Sequence, residues 1–161
     1  MSVPLSNPTS VDVDAPVVAH HEIDIRASLE SVWNRHVDVN SWTQWNPDMT
    51  SAHLDGQFVP GATFQWESYD FPVVSKIYDV EIQHRILWGG VAGGVTGVHE
   101  WLFTPLAGGV RVVTNESFAG EPVEADPPGM RSALDSSLMA WLGCLKAASE
   151  NHSADSLATP R

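Results

Sequence analysis

Val98 to Gly120 reads VHEWLFTPLAGGVRVVTNESFAG, and this stretch decides the fold because it spells two alternating strands around a turn. In the first strand His99, Trp101 and Phe103 fall on one face and Glu100 and Thr104 on the other, the period of two that a half-buried strand shows. In the second strand Val110, Val112, Thr114, Glu116 and Phe118 form the set that should face inward, while Arg111, Val113, Asn115 and Ser117 form a more polar set. Pro105, Gly108 and Gly109 are expected to make the turn, since Gly tolerates positive φ and Pro ends ladder hydrogen bonding. A register that pairs His99 with Glu116 sets an imidazole beside a carboxylate on the covered face of the sheet, so chemistry is expected there first.

Upstream, Pro16 to Arg26 alternates in the same way and predicts a first strand with Ile23 and Ile25 inward; His20 and His21 then point to opposite faces and cannot share a metal. Ser28 caps a helix in which Leu29, Val32, Trp33, His36 and Val37 follow helical spacing. A second short helix or turn covers Val39 to Trp45. Strands are expected over Thr50 to Leu54, Ala62 to Glu67 and Val73 to Ile82. The last of these changes phase near Tyr78, which calls for a bulge or two partly covered faces. Ile86 and Trp88 share a face in the next strand, and Gly89, Gly90, Gly93, Gly94 and Gly97 predict a flexible loop leading into the hairpin. Downstream, Glu121 to Gly129 is expected as an acidic loop. A helix from about Met130 to Glu150 carries an apolar stripe of Met130, Leu134, Leu138, Trp141, Leu142 and Leu145. Residues 1–15 are expected as a disordered arm, 16–150 as the one folded domain, and 151–161 as a disordered tail.

The 161 residues are 43% apolar and include seven tryptophans, enough to bury a core in one domain. Twenty acidic against eight basic side chains give a net charge of −12, which excludes nucleic acid and anionic membrane surfaces as natural partners. The single cysteine, Cys144, rules out an internal disulfide, fits a reducing compartment and reads as a small core residue. With no apolar leader at the start and no stretch of membrane-spanning length, the expectation is a soluble, cytoplasmic protein without membrane insertion. The histidines are scattered over separate elements without H-x-x-x-H spacing, so no metal site is expected.

The order strand, two short helices, about six strands and a long final helix is an α+β arrangement, with a sheet that must curl around the helix to bury its apolar face. The front stretch IDIRASLESVWNRHVDVNSWTQWNP, the run Ile86 to Gly90, the hairpin itself and SSLMAWLGCLKAASE near the end, together spanning about residues 17–150, resemble the START/Bet v 1-like (SRPBCC) superfamily, in particular its polyketide cyclase/dehydrase branch. That resemblance implies a helix-grip fold, a curved antiparallel sheet of about seven strands around the C-terminal helix, with a ligand cavity between them. It also implies hydrophobic ligands and, in some members, cyclisation, aromatisation or dehydration. Aromatase/cyclase members often place an Arg and a Tyr in the cavity; here Arg111 falls on the outward set, and neither Tyr69 nor Tyr78 has a settled phase.

His99 and Glu116 are the catalytic candidates, as a general acid/base pair. A neighbouring carboxylate raises an imidazole pKa, whereas burial lowers it. The structural alternative is a buried ion pair that fixes the hairpin register. Trp66, Trp88, Trp101, Phe64, Phe103, Phe118, Leu138 and Trp141 are the expected ligand-binding residues, with core packing the alternative for each. Two functions stay open: a cofactor-independent cyclase/dehydratase acting on a hydrophobic polyketide-like intermediate, and a non-catalytic carrier of a small hydrophobic ligand. A co-chaperone-like role is a more distant third, and a homodimer is one option for assembly.

Overall fold

In the computed structural model, which describes residues 7–158 and the side chains as far as Asn151, the alternating stretches become seven strands. They are β1 Val17–Ile25, β2 Met49–Leu54, β3 Thr63–Ser68, β4 Phe71–Glu81, β5 Arg85–Ala92, β6 Val95–Leu106 and β7 Gly109–Ala119. All neighbours are antiparallel, in the order β1-β7-β6-β5-β4-β3-β2. β1 and β2 therefore form opposite edges, and the helices between them carry the chain from one edge to the other. These are α1 Leu29–Val37, a 3-10 turn Val39–Ser41, and α2 Trp42–Trp45. The Ser28 hydroxyl accepts from the Ser31 N–H at 3.1 Å and caps α1 as its sequence predicts. α3 Glu121–Ala125 and the long α4 Pro127–Ala158 follow β7.

The period of two holds in β1, where Val17, Ala19 and Ile25 are buried. The phase change in Val73 to Ile82 is a bulge, with the β4–β5 register slipping between Ile77 and Asp79. The glycine-rich stretch differs from its expectation. Gly89 and Gly90 belong to β5 and Gly97 to β6, and only Gly93 and Gly94 turn the chain, both at positive φ. Glycine suits strand interiors where backbones crowd: a Cβ on Gly89 would run into the Gly97 carbonyl oxygen, and one on Gly90 would stand 2.6 Å from that of Val74. The hairpin turn is likewise tighter than expected, since Pro105 pairs with Val110 and Gly109 with Leu106 inside the ladder.

The expected loop 121–129 holds α3 and the start of α4. Pro127 and Pro128 occupy the first turn, where no backbone N–H is needed, and the Asp126 carboxylate accepts from the Gly129 N–H at 3.2 Å. The α4 backbone stays helical to Ala158, beyond the Glu150 end read from the sequence. Residues 159–161 of the expected tail and 1–6 of the expected arm lie outside the described residues, and 7–15 form no helix or strand.

α4 lies across β1. Arg131 Nη1 donates to the Val18 carbonyl at 2.7 Å, His21 Nε2 meets Asp135 Oδ1 at 2.8 Å, and Lys146 Nζ donates to the Asp24 carbonyl at 2.7 Å. Its apolar stripe divides the interior. Trp141, Leu142 and Leu145 join the main core with Trp33, Trp42, Phe64, Trp88, Trp101 and Phe103. Leu134 and Leu138 join a second cluster with Val17, Ala19 and Val123. Among the described residues no helix is long and apolar enough to cross a membrane.

Candidate active site

Between the two clusters the sheet and the first half of α4 leave a cavity of about 570 Å³. Its walls come from β3 to β7 and α4, and His99, Glu116 and, at the rim, Tyr69 are the titratable side chains among them. β6 and β7 pair His99 directly with Glu116. The Nδ1 of His99 lies 3.4 Å from Oε1 of Glu116, longer than a made hydrogen bond, so the carboxyl group is not consumed by the imidazole. Glu116 keeps 15% side-chain exposure, toward the cavity, against 3% for His99.

His99 is clamped by its neighbours. Trp88, its cross-strand partner on β5, stacks at 5.0 Å and 27°, Trp101 stacks at 4.8 Å and 30°, and Trp141 reaches over from α4 to meet the ring edge-on at 5.6 Å and 87°. The far nitrogen, Nε2, lies 2.6 Å from Thr114 Oγ1. That hydroxyl in turn donates to the Glu100 carbonyl at 3.1 Å. A hydroxyl has one proton to give, and a carbonyl can only accept. The geometry therefore makes Nε2–H the donor to Thr114 and leaves the Nδ1 lone pair aimed at Glu116.

An ionised carboxylate would face that lone pair unpartnered, whereas a protonated one can offer it a proton. Burial works in the same direction, because a charge moved out of water destabilises the ionised form. It raises Glu116 from 4.5 to about 8. Burial, with a smaller contribution from the neighbouring His36, holds His99 well below the ordinary imidazole range. The two effects set against each other in the sequence are thus decided for burial: His99 is not the protonated partner of a carboxylate, and the resting pair is a neutral imidazole beside a neutral carboxylic acid.

His36, on α1, shows the same effect without a carboxylate. It is fully buried, its ring lies 4.2 Å from that of Trp101, and neither ring nitrogen has a hydrogen-bond partner among the described residues. Burial lowers it from 6.5 to about 3.

Of the expected ligand-binding residues, Trp66, Trp88, Phe118 and Trp141 line the cavity. Phe64, Trp101, Phe103 and Leu138 do not. Phe64 packs edge-on against Trp42, Trp101 backs His99, Phe103 meets Trp33 at 5.1 Å, and Leu138 sits in the second cluster. All four are on the expected inward face, but they lie where the helices close against the sheet. The expected ligand-binding set left out Tyr69, Phe71, Ser75, Gly97, Met130 and Ser137, which are also part of the wall. Tyr69 and Asp70 both adopt positive φ in the tight β3–β4 turn, a conformation that no turn motif there announces. Arg111 faces outward as read, in a two-point ion pair with Asp24 at 2.8 and 3.1 Å. Cys144 is half-buried and burial pushes its thiol up, away from nucleophile chemistry.

Residues 16–150 match the family model described as polyketide cyclase / dehydrase and lipid transport. No curated protein sequence matches the chain significantly. Among solved structures, the aromatase/cyclase ZhuI from Streptomyces sp. R1128 superposes with a TM-score of 0.74 at 15% identity, covering 84% of this chain and 94% of its own. A START superfamily protein from Mycobacterium smegmatis gives 0.72 at 13% identity, covering 83% and 97%. A hypothetical protein from Helicobacter pylori gives 0.75 at 20% identity, covering 91% and 99%. At these identities the superpositions establish the fold: a START-like curved sheet gripping a C-terminal helix.

Proposed function

The chain belongs to the polyketide cyclase / dehydrase and lipid transport family, and from that premise we propose that it is a cofactor-independent cyclase/dehydratase for a hydrophobic polyketide-like intermediate, with Glu116 as the acid that meets the substrate. One observation carries the reading: a buried carboxyl group, its pKa pushed up to about 8 by burial, opens onto an apolar cavity large enough for a several-ring molecule. A carboxylic acid kept protonated near neutral pH can donate to a carbonyl or hydroxyl oxygen that an ionised one would repel.

In the ring-closing step Glu116 protonates the electrophilic carbonyl oxygen as the substrate's enol carbon forms the new carbon–carbon bond, and the resulting carboxylate takes the proton that the enol oxygen releases as it becomes a carbonyl, so the acid is restored before dehydration. In the dehydration step it protonates the departing hydroxyl, the C–O bond breaks and water leaves. The resulting carboxylate then takes the adjacent C–H proton as the double bond forms, so the acid is regenerated and the balance is loss of one water. His99 is a positioning residue. Its Nδ1 lone pair favours the protonated carboxyl, and its own ring is fixed by Thr114, Trp88 and Trp101. The aromatic wall of Trp66, Trp88, Phe118 and Trp141 suits a flat conjugated product. ZhuI, whose fold this chain shares, is an aromatase/cyclase.

The test is Glu116→Gln, which keeps the shape and a hydrogen-bond donor but has no transferable proton. Incubated with a linear oligo-β-ketone thioester and followed by mass spectrometry, the wild type should yield the cyclised product lacking one water. The variant should lose about 10²–10⁴-fold in rate. Equal rates would sink the acid assignment. The apolar lining favours one second reading, a non-catalytic carrier of a small hydrophobic ligand; tight binding with no product from the wild type would establish it.

A further inference from the structure

The inward face of β5 and β6 is a ladder of cross-strand pairs that runs from the core to the cavity: Ile86 with Trp101 in the core, then Trp88 with His99, Gly90 with Gly97, and Ala92 with Val95 along the cavity. Side-chain bulk falls from aromatic pairs to nothing at the glycine pair. The two glycines are there for different reasons. Gly90 lets β4 approach, since its Cβ would stand 2.6 Å from the Val74 oxygen. A Cβ on Gly97 would find as its nearest atoms Phe118 Cε1 at 3.4 Å, Glu116 Oε2 at 3.5 Å and Phe118 Cδ1 at 3.6 Å, all ordinary contact, and the φ of Gly97 lies outside the left-handed region. Neither backbone conformation nor packing asks for glycine at 97. What its missing side chain leaves is space in the cavity wall beside the carboxyl group.

We infer that Gly97 is a specificity-determining residue: the notch it leaves between Val95 and His99 admits the oxygen-bearing edge of a planar conjugated ring and delivers it to Oε2 of Glu116. Val95 and His99, four residues apart on one face of β6, are separated by about 13 Å, and with no side chain on Gly97 between them the space above the strand takes a flat ring on edge. A ligand atom standing where a Cβ would be lies 3.5 Å from Oε2, a few tenths of an ångström from hydrogen-bonding distance. The Phe118 ring edge bounds the notch on one side, and its slightly positive rim faces the electron-rich face or oxygen of such a ring. This inference rests on the reading of Glu116 as a neutral acid facing the ligand, and it adds which ligands can reach that acid.

The experiment measures binding of two probes, alizarin as a flat oxygenated ring system and dodecanoate as a flexible chain, by quenching of the cavity tryptophans. Gly97→Ala should weaken alizarin about tenfold and Gly97→Val about a hundredfold, while dodecanoate affinity changes by less than about twofold in both. Thermal melts confirm that both variants fold. Alizarin binding within about twofold of wild type in Gly97→Ala, equal weakening of both probes, or no alizarin binding by the wild type would each overturn the inference. Its failure is separable from that of the proposed function. Loss of turnover in Glu116→Gln together with unchanged alizarin binding in Gly97→Ala removes the notch and keeps the acid.

Discussion

Replacing Glu116 by Gln should stabilise the protein by an amount that grows with pH, and the size of the effect follows from where the carboxyl sits. Burial raises its pKa from 4.5 to about 8, so between those values the folded state holds a proton that the unfolded state has released. The associated stability is fully present below 4.5 and is lost as pH rises through about 8. At about 1.4 kcal/mol per pH unit, the wild type gives up about 3 kcal/mol by pH 7 and about 4 kcal/mol by pH 8, where the folded-state group is itself half titrated.

Gln is neutral throughout and can donate its amide to His99 Nδ1, so the variant should match the wild type near pH 4.5 and exceed it by those amounts above. His36 and His99 act in the opposite sense. Both are buried neutral, His36 with its value lowered from 6.5 to about 3, so their stability is full above 6.5 and lost as pH falls. Wild-type stability should therefore peak near pH 6.5, and Glu116→Gln should keep the acid limb while flattening the alkaline one. Urea unfolding followed by tryptophan fluorescence across about pH 5 to 9 gives both curves. A variant-minus-wild-type difference that does not change with pH would refute the claim that Glu116 is buried neutral.

Thr114→Val removes the acceptor of His99 Nε2 and the hydroxyl donor to Glu100; it should cost about 2–3 kcal/mol. It should also move the His99 proton from Nε2 to Nδ1, read as a change in imidazole ¹⁵N shifts; an unchanged tautomer would contradict the assigned chain of hydrogen bonds. Gly90→Ala forces a Cβ to 2.6 Å from the Val74 oxygen and should destabilise by about 1–3 kcal/mol, whereas Gly97→Ala should stay within about 1 kcal/mol of wild type. Equal losses in chemical denaturation would mean that both glycines are there for packing.

The alternation in Val98–Gly120 determined the hairpin, its inward face and the neighbourhood of His99 and Glu116, because side chains in a strand alternate regardless of what the sheet packs against. Equally local rules, capping chemistry and helical spacing, yielded the α1 cap and the α4 stripe, and the phase change in β4 allowed the bulge as one of two readings. Local pattern could not tell wall from core. Phe64, Trp101, Phe103 and Leu138 share an inward face with Trp66, Trp88, Phe118 and Trp141, and only the line along which α1, α2 and α4 close on the sheet separates the two groups. It also could not tell a flexible glycine from a crowded or an opened one, since the atoms that decide between Gly90 and Gly97 belong to Val74, Phe118 and Glu116 on other strands.

Protonation was the least legible of all. Paired across an expected hairpin, a histidine and a glutamate suggest an ion pair. Trp88, Trp101 and Trp141 remove the water that would support those charges, and Thr114 fixes which imidazole nitrogen carries the proton. The residue types and their faces are local properties of the chain, whereas the charge they carry is set by everything packed around them, which only the tertiary structure assembles.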